Sequence, residues 1–168
     1  MATVLLTVAY AAHPLDWLLG CAISTGTTAY HFVMRLAVGY FIPKLTNYDF
    51  DYHHPWFQPR KWEPSFYKRL NIRRWKNRIP TYAPEQFSQA ENCLYRVIQN
   101  MCGAEIVHET IMVLSFLPLL TVPVFGAFFV FLTTSLLSAL IDSIFVMAQR
   151  FNRPRLVRIY EKKGGKRP

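Results

Sequence analysis

The chain has 168 residues, 52% of them hydrophobic and 15% aromatic, with 19 Lys and Arg against 10 Asp and Glu for a net charge of +9. That length allows one domain, residues 1–168, and the three scattered cysteines Cys21, Cys93 and Cys102 exclude a disulfide framework or a cysteine-held zinc. The positive charge is gathered into Arg60–Arg78 and Arg150–Arg167, each holding eight of the 19 basic residues; such patches beside apolar runs meet anionic headgroups, and no nucleic-acid partner is expected.

Met1–Ala12 is apolar but lacks the basic start of a secretory leader, so it is not expected to be a cleaved signal peptide. It is also short for a membrane span. The first span is read over 17–42. It is polar for a span, with Ser24, Thr25, Gly26, Thr27 and Thr28 at its middle, the small residues of close helix packing. His31 and Arg35 follow, four apart and so on one helical face. Arg35 either snorkels to the interface or faces a polar cavity, and the sequence permits both. Pro43 is read as the end of this helix.

Residues 44–102 form a polar, interfacial section. Asn47–Pro64 carries Trp56 and Trp62, residues that favour the headgroup level. In Phe66–Ile79 the apolar Phe66, Leu70, Ile72 and Trp75 fall near helical spacing among Lys68, Arg69, Arg73, Arg74 and Lys76. That pattern predicts an amphipathic helix lying flat on the membrane and ended by Pro80. Ser88–Cys102 reads as a short helix opened by a capping box over Ser88–Glu91. His53 and His54 are adjacent, so their rings diverge in an extended segment, and no metal site is expected.

The second span is placed at about 104–123, interrupted by Pro118, and the third at 126–148. Within Val124–Ala148 the single charge is Asp142, and the run ends at Gln149-Arg150-Phe151-Asn152-Arg153-Pro154-Arg155-Leu156, read as a basic, proline-stopped cap with a basic tail over 149–168. The fold class is therefore an all-α integral membrane protein: three or four transmembrane helices, depending on whether Val4–Leu19 inserts, plus an amphipathic interfacial helix. The positive-inside rule puts the basic segments 60–78 and 150–168 in the cytoplasm of a multi-pass cell-membrane protein.

Three groups of residues can carry chemistry. Glu105 and His108 lie three apart at the start of the second span, so they share a helical face. A carboxylate that fixes an imidazole's tautomer makes the other ring nitrogen a general base for an alcohol; the alternative is an interfacial capping pair. Asp142 is an intramembrane carboxylate, with Arg35, His31 or His108 as its possible partner, or a purely structural interhelical bond. Gln149, Arg150, Asn152, Arg153 and Arg155 form either a positive-inside anchor or a clamp for a headgroup or acyl donor, since guanidinium forks match phosphate and carboxylate oxygens. Arg73, Arg74, Trp75 and Lys76 are candidates to share that donor-binding role.

Three blocks carry a family resemblance. They are Phe66-Tyr67-Lys68-Arg69-Leu70-Asn71-Ile72-Arg73-Arg74-Trp75-Lys76-Asn77-Arg78-Ile79-Pro80, then Ala104-Glu105-Ile106-Val107-His108, then Gln149 to Leu156. In this order they resemble the glycosyl-4,4'-diaponeurosporenoate acyltransferase family, small membrane proteins of bacterial carotenoid (staphyloxanthin) pathways. The resemblance implies transfer of a fatty acyl group to a hydroxyl of a glycosylated lipid. The donor would be an acyl-CoA, an acyl carrier protein or a phospholipid, acting as co-substrate, with no cofactor. The chain departs from the family at Asn100 and Gly103, at Glu109 after the histidine, and at Asp142, so a carotenoid glycoside is one acceptor among several amphiphilic alcohols or amines. The competing expectation is a non-catalytic membrane subunit or scaffold that anchors a partner membrane enzyme.

Overall fold

The computed structural model describes residues 1–12, 15–47, 49–78, 87 and 93–164, without the side chains of Asp16 and Asn77. Seven α-helices are defined among them: α1 (Ala2–Ala12), α2 (Asp16–Thr46), α3 (Glu63–Arg69), α4 (Ile72–Trp75), α5 (Leu94–Leu114), α6 (Val122–Phe125) and α7 (Phe128–Lys162). Three 3-10 turns, Pro55–Phe57, Lys76–Arg78 and Leu117–Thr121, join them. The expected capping box at Ser88–Glu91 and the Pro80 stop lie outside the described residues.

Two helical stretches, Leu94–Phe125 and Phe128–Lys162, are long and apolar enough to cross a membrane. Their apolar windows are only 17% and 28% buried in the protein, whereas the core helix of a water-soluble domain is mostly covered. An apolar face left this open calls for lipid or another protein. The 11 residues of α1 fall short of the roughly 20 needed for a span.

Several sequence expectations are corrected. Pro43 does not end α2, which runs on to Thr46; a proline so close to a helix end removes one hydrogen bond in a turn that frays in any case. The flat amphipathic helix is not one helix. Asn71 adopts the left-handed conformation (φ 52°) and separates α3 from α4. Ser88–Cys102 and the second span are not separate beyond Leu94, since α5 passes unbroken through Gly103. Pro154 does not stop α7, which continues to Lys162. The carbonyl deprived of its partner by Pro154 is that of Arg150, four residues back, and Arg150 is held by its side chain instead, as described below.

The chain divides into two compact units. The first comprises Met1–Tyr40 and Thr110–Asp142. Its apolar core includes Leu18, Ala22, Met34, Val38, Ile111 and Phe131. The Ser/Thr run of α2 satisfies itself: Ser24, Thr25, Thr27 and Thr28 each donate to the carbonyl four residues earlier at 2.8 Å. A hydroxyl tied back to its own helix adds little polarity to the surface. Phe32, Leu36, Val113, Leu120, Val124 and Phe129 all point outward.

The second unit comprises Phe41–Glu109 and Ser143–Pro168. On α5, Ile98, Cys102 and Glu105 are fully buried at helical spacing. On α7, Arg150, Arg153 and Tyr160 form the matching inward stripe. Tyr52, Tyr95 and Tyr160 make a cluster of rings with centroids 5.8–6.5 Å apart. The amide of Gln99 closes a two-bond ring with the backbone of Phe50, accepting from its N–H at 2.7 Å and donating to its carbonyl at 2.9 Å.

The break at Asn71 yields a test. An L-residue in the left-handed region costs about 1–2 kcal/mol, which glycine avoids and a β-branched residue feels in full. Asn71→Gly is expected to unfold at the wild-type temperature or above, and Asn71→Val several degrees lower, as followed by thermal unfolding in detergent.

Candidate active site

The second unit is organised around four buried charges. Glu105 on α5 and Glu63 at the start of α3 are matched by Arg150 and Arg153 on α7; their side chains are 0%, 2%, 9% and 2% exposed. Arg150 bonds Glu105 Oε1 at 2.5 Å and Arg153 bonds Glu105 Oε2, so each oxygen of one carboxylate holds a separate guanidinium. Arg150 also reaches Glu63 Oε1 through Nε at 3.0 Å and Nη2 at 2.7 Å. It further donates to the carbonyls of Trp56 at 2.9 Å and Gln58 at 3.0 Å. All five guanidinium N–H donors of Arg150 are thus used. Arg153 completes the arrangement with a bond to the carbonyl of Phe57 and its guanidinium 5.0 Å from the centre of the Phe57 ring. Two anions and two cations close together leave no net buried charge.

Tyr67 extends the network, donating to Glu63 Oε2 at 3.0 Å. Burial pushes its phenol well above the ordinary tyrosine range, and the neighbouring Glu63 carboxylate pushes the same way. Tyr67 therefore stays a neutral donor throughout the working pH range. Its ring meets Phe151 edge-on at 5.9 Å.

His108 lies one turn beyond Glu105 on α5 and is half-buried. Its ring stacks on Phe145 of α7, with centroids 4.6 Å apart and planes within 7°. Stacking fixes the plane in which its nitrogens lie. Glu109, next along α5, accepts from Trp56 Nε1 at 2.8 Å.

A second, shallower group involves α4 and the turn after it. Lys76 bonds Asn152 Oδ1 and lies 5.1 Å from the centre of the Phe151 ring. Desolvation lowers its amine below the usual lysine range, and Arg155 and Arg73 add to the effect. Arg73, Arg74 and Arg155 are exposed, and Gln149 and Trp75 half-buried. The Trp75 indole donates to the carbonyl of Leu70 at 2.9 Å.

The remaining sequence candidates belong to the first unit. Arg35 pairs with Asp142 through both guanidinium arms, at 3.3 Å and 2.5 Å, and Asp142 is fully buried. The same guanidinium donates to Ser138 Oγ at 2.9 Å, and Ser138 Oγ lies 2.8 Å from Ser115 Oγ. Of the partners considered for Asp142, Arg35 is the one placed on it bidentately. His31 is 9% exposed, and neither of its ring nitrogens has a hydrogen-bond partner among the described residues.

The site therefore differs in emphasis from the sequence reading. Glu105 holds Arg150 and Arg153, and Arg150 is occupied by protein groups. Glu63 and Tyr67 were not singled out, although Glu63 is the sole acidic residue within the basic stretch Arg60–Arg78. A lone carboxylate amid eight cations is the signal by which the sequence could have marked it.

A profile of the glycosyl-4,4'-diaponeurosporenoate acyltransferase family matches residues 53–162, more than half of the chain, and the protein belongs to that family. The match takes in every residue of the four-charge cluster, together with His108, Lys76 and Asn152. No curated protein and no solved structure matches the chain.

Two outcomes are expected here. Removing one partner of a buried ion pair costs about 3–5 kcal/mol because the other charge is stranded, so Glu105→Ala should unfold at far lower denaturant than wild type, with Glu105→Gln between them. The Lys76 amine becomes neutral, and so reactive, at lower pH than an ordinary lysine. Competitive acylation read by mass spectrometry should place its titration midpoint below 10.5. A midpoint at or above that value removes the case for a desolvated amine.

Proposed function

We propose that the protein is an integral-membrane acyltransferase that moves a fatty acyl group onto a hydroxyl of an amphiphilic, glycosylated lipid, with a carotenoid glycoside as the leading acceptor. The observation that carries this reading is the half-buried imidazole of His108, stacked on Phe145 one helical turn from the Glu105–Arg150–Arg153 lock. His108 takes the proton of the acceptor hydroxyl as that oxygen attacks the donor carbonyl. The bond from the acyl carbon to the leaving group breaks, and the imidazolium returns its proton to that group. Glu105 is a positioning residue in this scheme. It ties the α5 turn that carries His108 to α7.

The phosphates of the donor, whether acyl-CoA, acyl carrier protein or phospholipid, fall to the exposed Arg73, Arg74 and Arg155 together with Lys76. Among the described residues these keep N–H donors that no protein group takes, as Arg150 does not. Asn152 orients Lys76. α2 is a third crossing in this reading, its Arg35 neutralised by Asp142 so that the charge is tolerated in hydrocarbon. Segments 60–78 and 150–168 then face the cytoplasm of a bacterial cell membrane.

One observation favours a second reading, a non-catalytic membrane subunit. Every N–H of Arg150 and both oxygens of Glu105 are engaged inside the protein, as in a purely structural joint. The two readings part at His108. Lipid extracts of cells lacking the chain should be missing an acylated glycolipid. Wild type should restore it, and His108→Ala should restore it with a rate about 10²–10⁴-fold lower, the usual worth of a general base. Full restoration by the variant removes His108 as base, and an unchanged lipid profile on deletion removes the acyltransferase itself.

A further inference from the structure

The first unit contains a cavity of about 480 Å³, within the range of about 300–1,000 Å³ typical of small-molecule sites. Its wall includes Ala22, Ile23, Gly26, Leu117, Phe125 and Phe131. The wall also carries hydroxyls, and five of them already give their proton to the protein. Thr7 donates to the carbonyl of Thr3, Thr27 to Ile23, Thr121 to Pro118 and Tyr30 to Leu114, all at 2.7–2.8 Å. Thr3 donates to Thr25 Oγ1 at 3.3 Å. Such a wall offers carbon to its occupant and has little to give a sugar, a phosphate or an amide, which would lose its water without compensation.

The outer surface of the same unit is apolar too, with Leu36, Val113, Leu120 and Phe129 each at least 73% exposed. In the membrane reading that surface faces hydrocarbon, the medium in which alkyl chains are dissolved. α1 supplies one wall through Thr3, Thr7 and Tyr10. It approaches α2 closely at Gly26, where an added Cβ would lie 3.2 Å from the Thr3 methyl.

We infer that this cavity binds one long alkyl chain, that of the acyl donor, and so sets the length of acyl group the protein transfers. The inference rests on the acyltransferase reading for the chain's role and on the wall chemistry for its binding. A free fatty-acyl thioester and a phospholipid present the same hydrocarbon, so both sources enter the test.

The experiment uses the full chain in nanodiscs. A palmitoyl-CoA with a diazirine near the chain end and a phosphatidylglycerol with the same acyl group are photolysed separately, and adducts are mapped by mass spectrometry. Saturable adducts at Ile23, Gly26 or Leu117 are expected from one of the two, and that one identifies the source. They should fall about tenfold in Ala22→Phe, which fills the space. Turnover with acyl chains of graded length is the second readout. Ala22→Phe should shift preference to shorter chains and Phe131→Ala to longer ones, by about 10–200-fold in relative kcat/KM, the usual worth of one misfit methylene upward.

Unsaturable adducts spread over Leu36, Val113 and Phe129 would mark ordinary lipid contact and overturn the inference. So would an unchanged length profile in both variants. Labelling reads occupancy without turnover, so saturable adducts in an inactive protein would sink the acyltransferase reading and leave the cavity's ligand standing.

Discussion

The second unit depends on one buried carboxylate. Glu105 lies on the inward face of α5, where a charge has no water, and is stable there because Arg150 and Arg153 each take one of its oxygens. Arg150 passes the constraint to Glu63 at the start of α3 and to the carbonyls around the Pro55–Phe57 turn. A loop that would otherwise present bare carbonyls to an apolar interior is thus organised by a helix residue from the far end of the sequence. The same bonds explain how α7 passes through Pro154 without stopping. The turn that loses a backbone hydrogen bond is the turn whose side chains are most firmly held.

The first unit solves a similar problem separately. Asp142 is fully buried and Arg35 covers both its oxygens, with Ser138 and Ser115 extending the polar chain. In both units guanidinium, not ammonium, meets the buried carboxylate. A planar fork can place several N–H groups on fixed acceptors at once, whereas a lysine offers a single compact charge that is harder to desolvate. Hydroxyls in α2 are handled by a cheaper device, bonding back to their own helix. Little free polarity remains on a surface that α5 and α7 leave largely apolar.

Much of this was legible in the sequence. The length and apolarity of the last two long helices, the Gln149–Leu156 block and the Glu105 position all follow from spacing and charge, and the family follows from the order of three blocks. Local punctuation was less reliable. Pro43 and Pro154 look like stops because a proline lacks its N–H, yet the first falls in a last turn and the second beside an arginine lock. The Phe66–Ile79 stretch has a helical apolar period, and nothing in that period announces that Asn71 turns left-handed. The Glu105–His108 spacing showed a shared face but not the guanidiniums that take up Glu105, since those come from residues more than forty positions away. Glu63 was readable as the odd charge in a basic run, and its weight appears only once its partner is known.

The full occupancy of Arg150 separates two kinds of positive charge in this small protein. Mobile ions screen charges that face water within about 8 Å at physiological ionic strength and hardly touch those sealed inside. Arg73, Arg74 and Arg155 belong to the first kind, Arg150 and Arg153 to the second. Salt therefore weakens whatever pull the first kind exerts on anions and leaves the buried pairs of the second kind in place. Adhesion and architecture answer to different variables, although both are written in arginine.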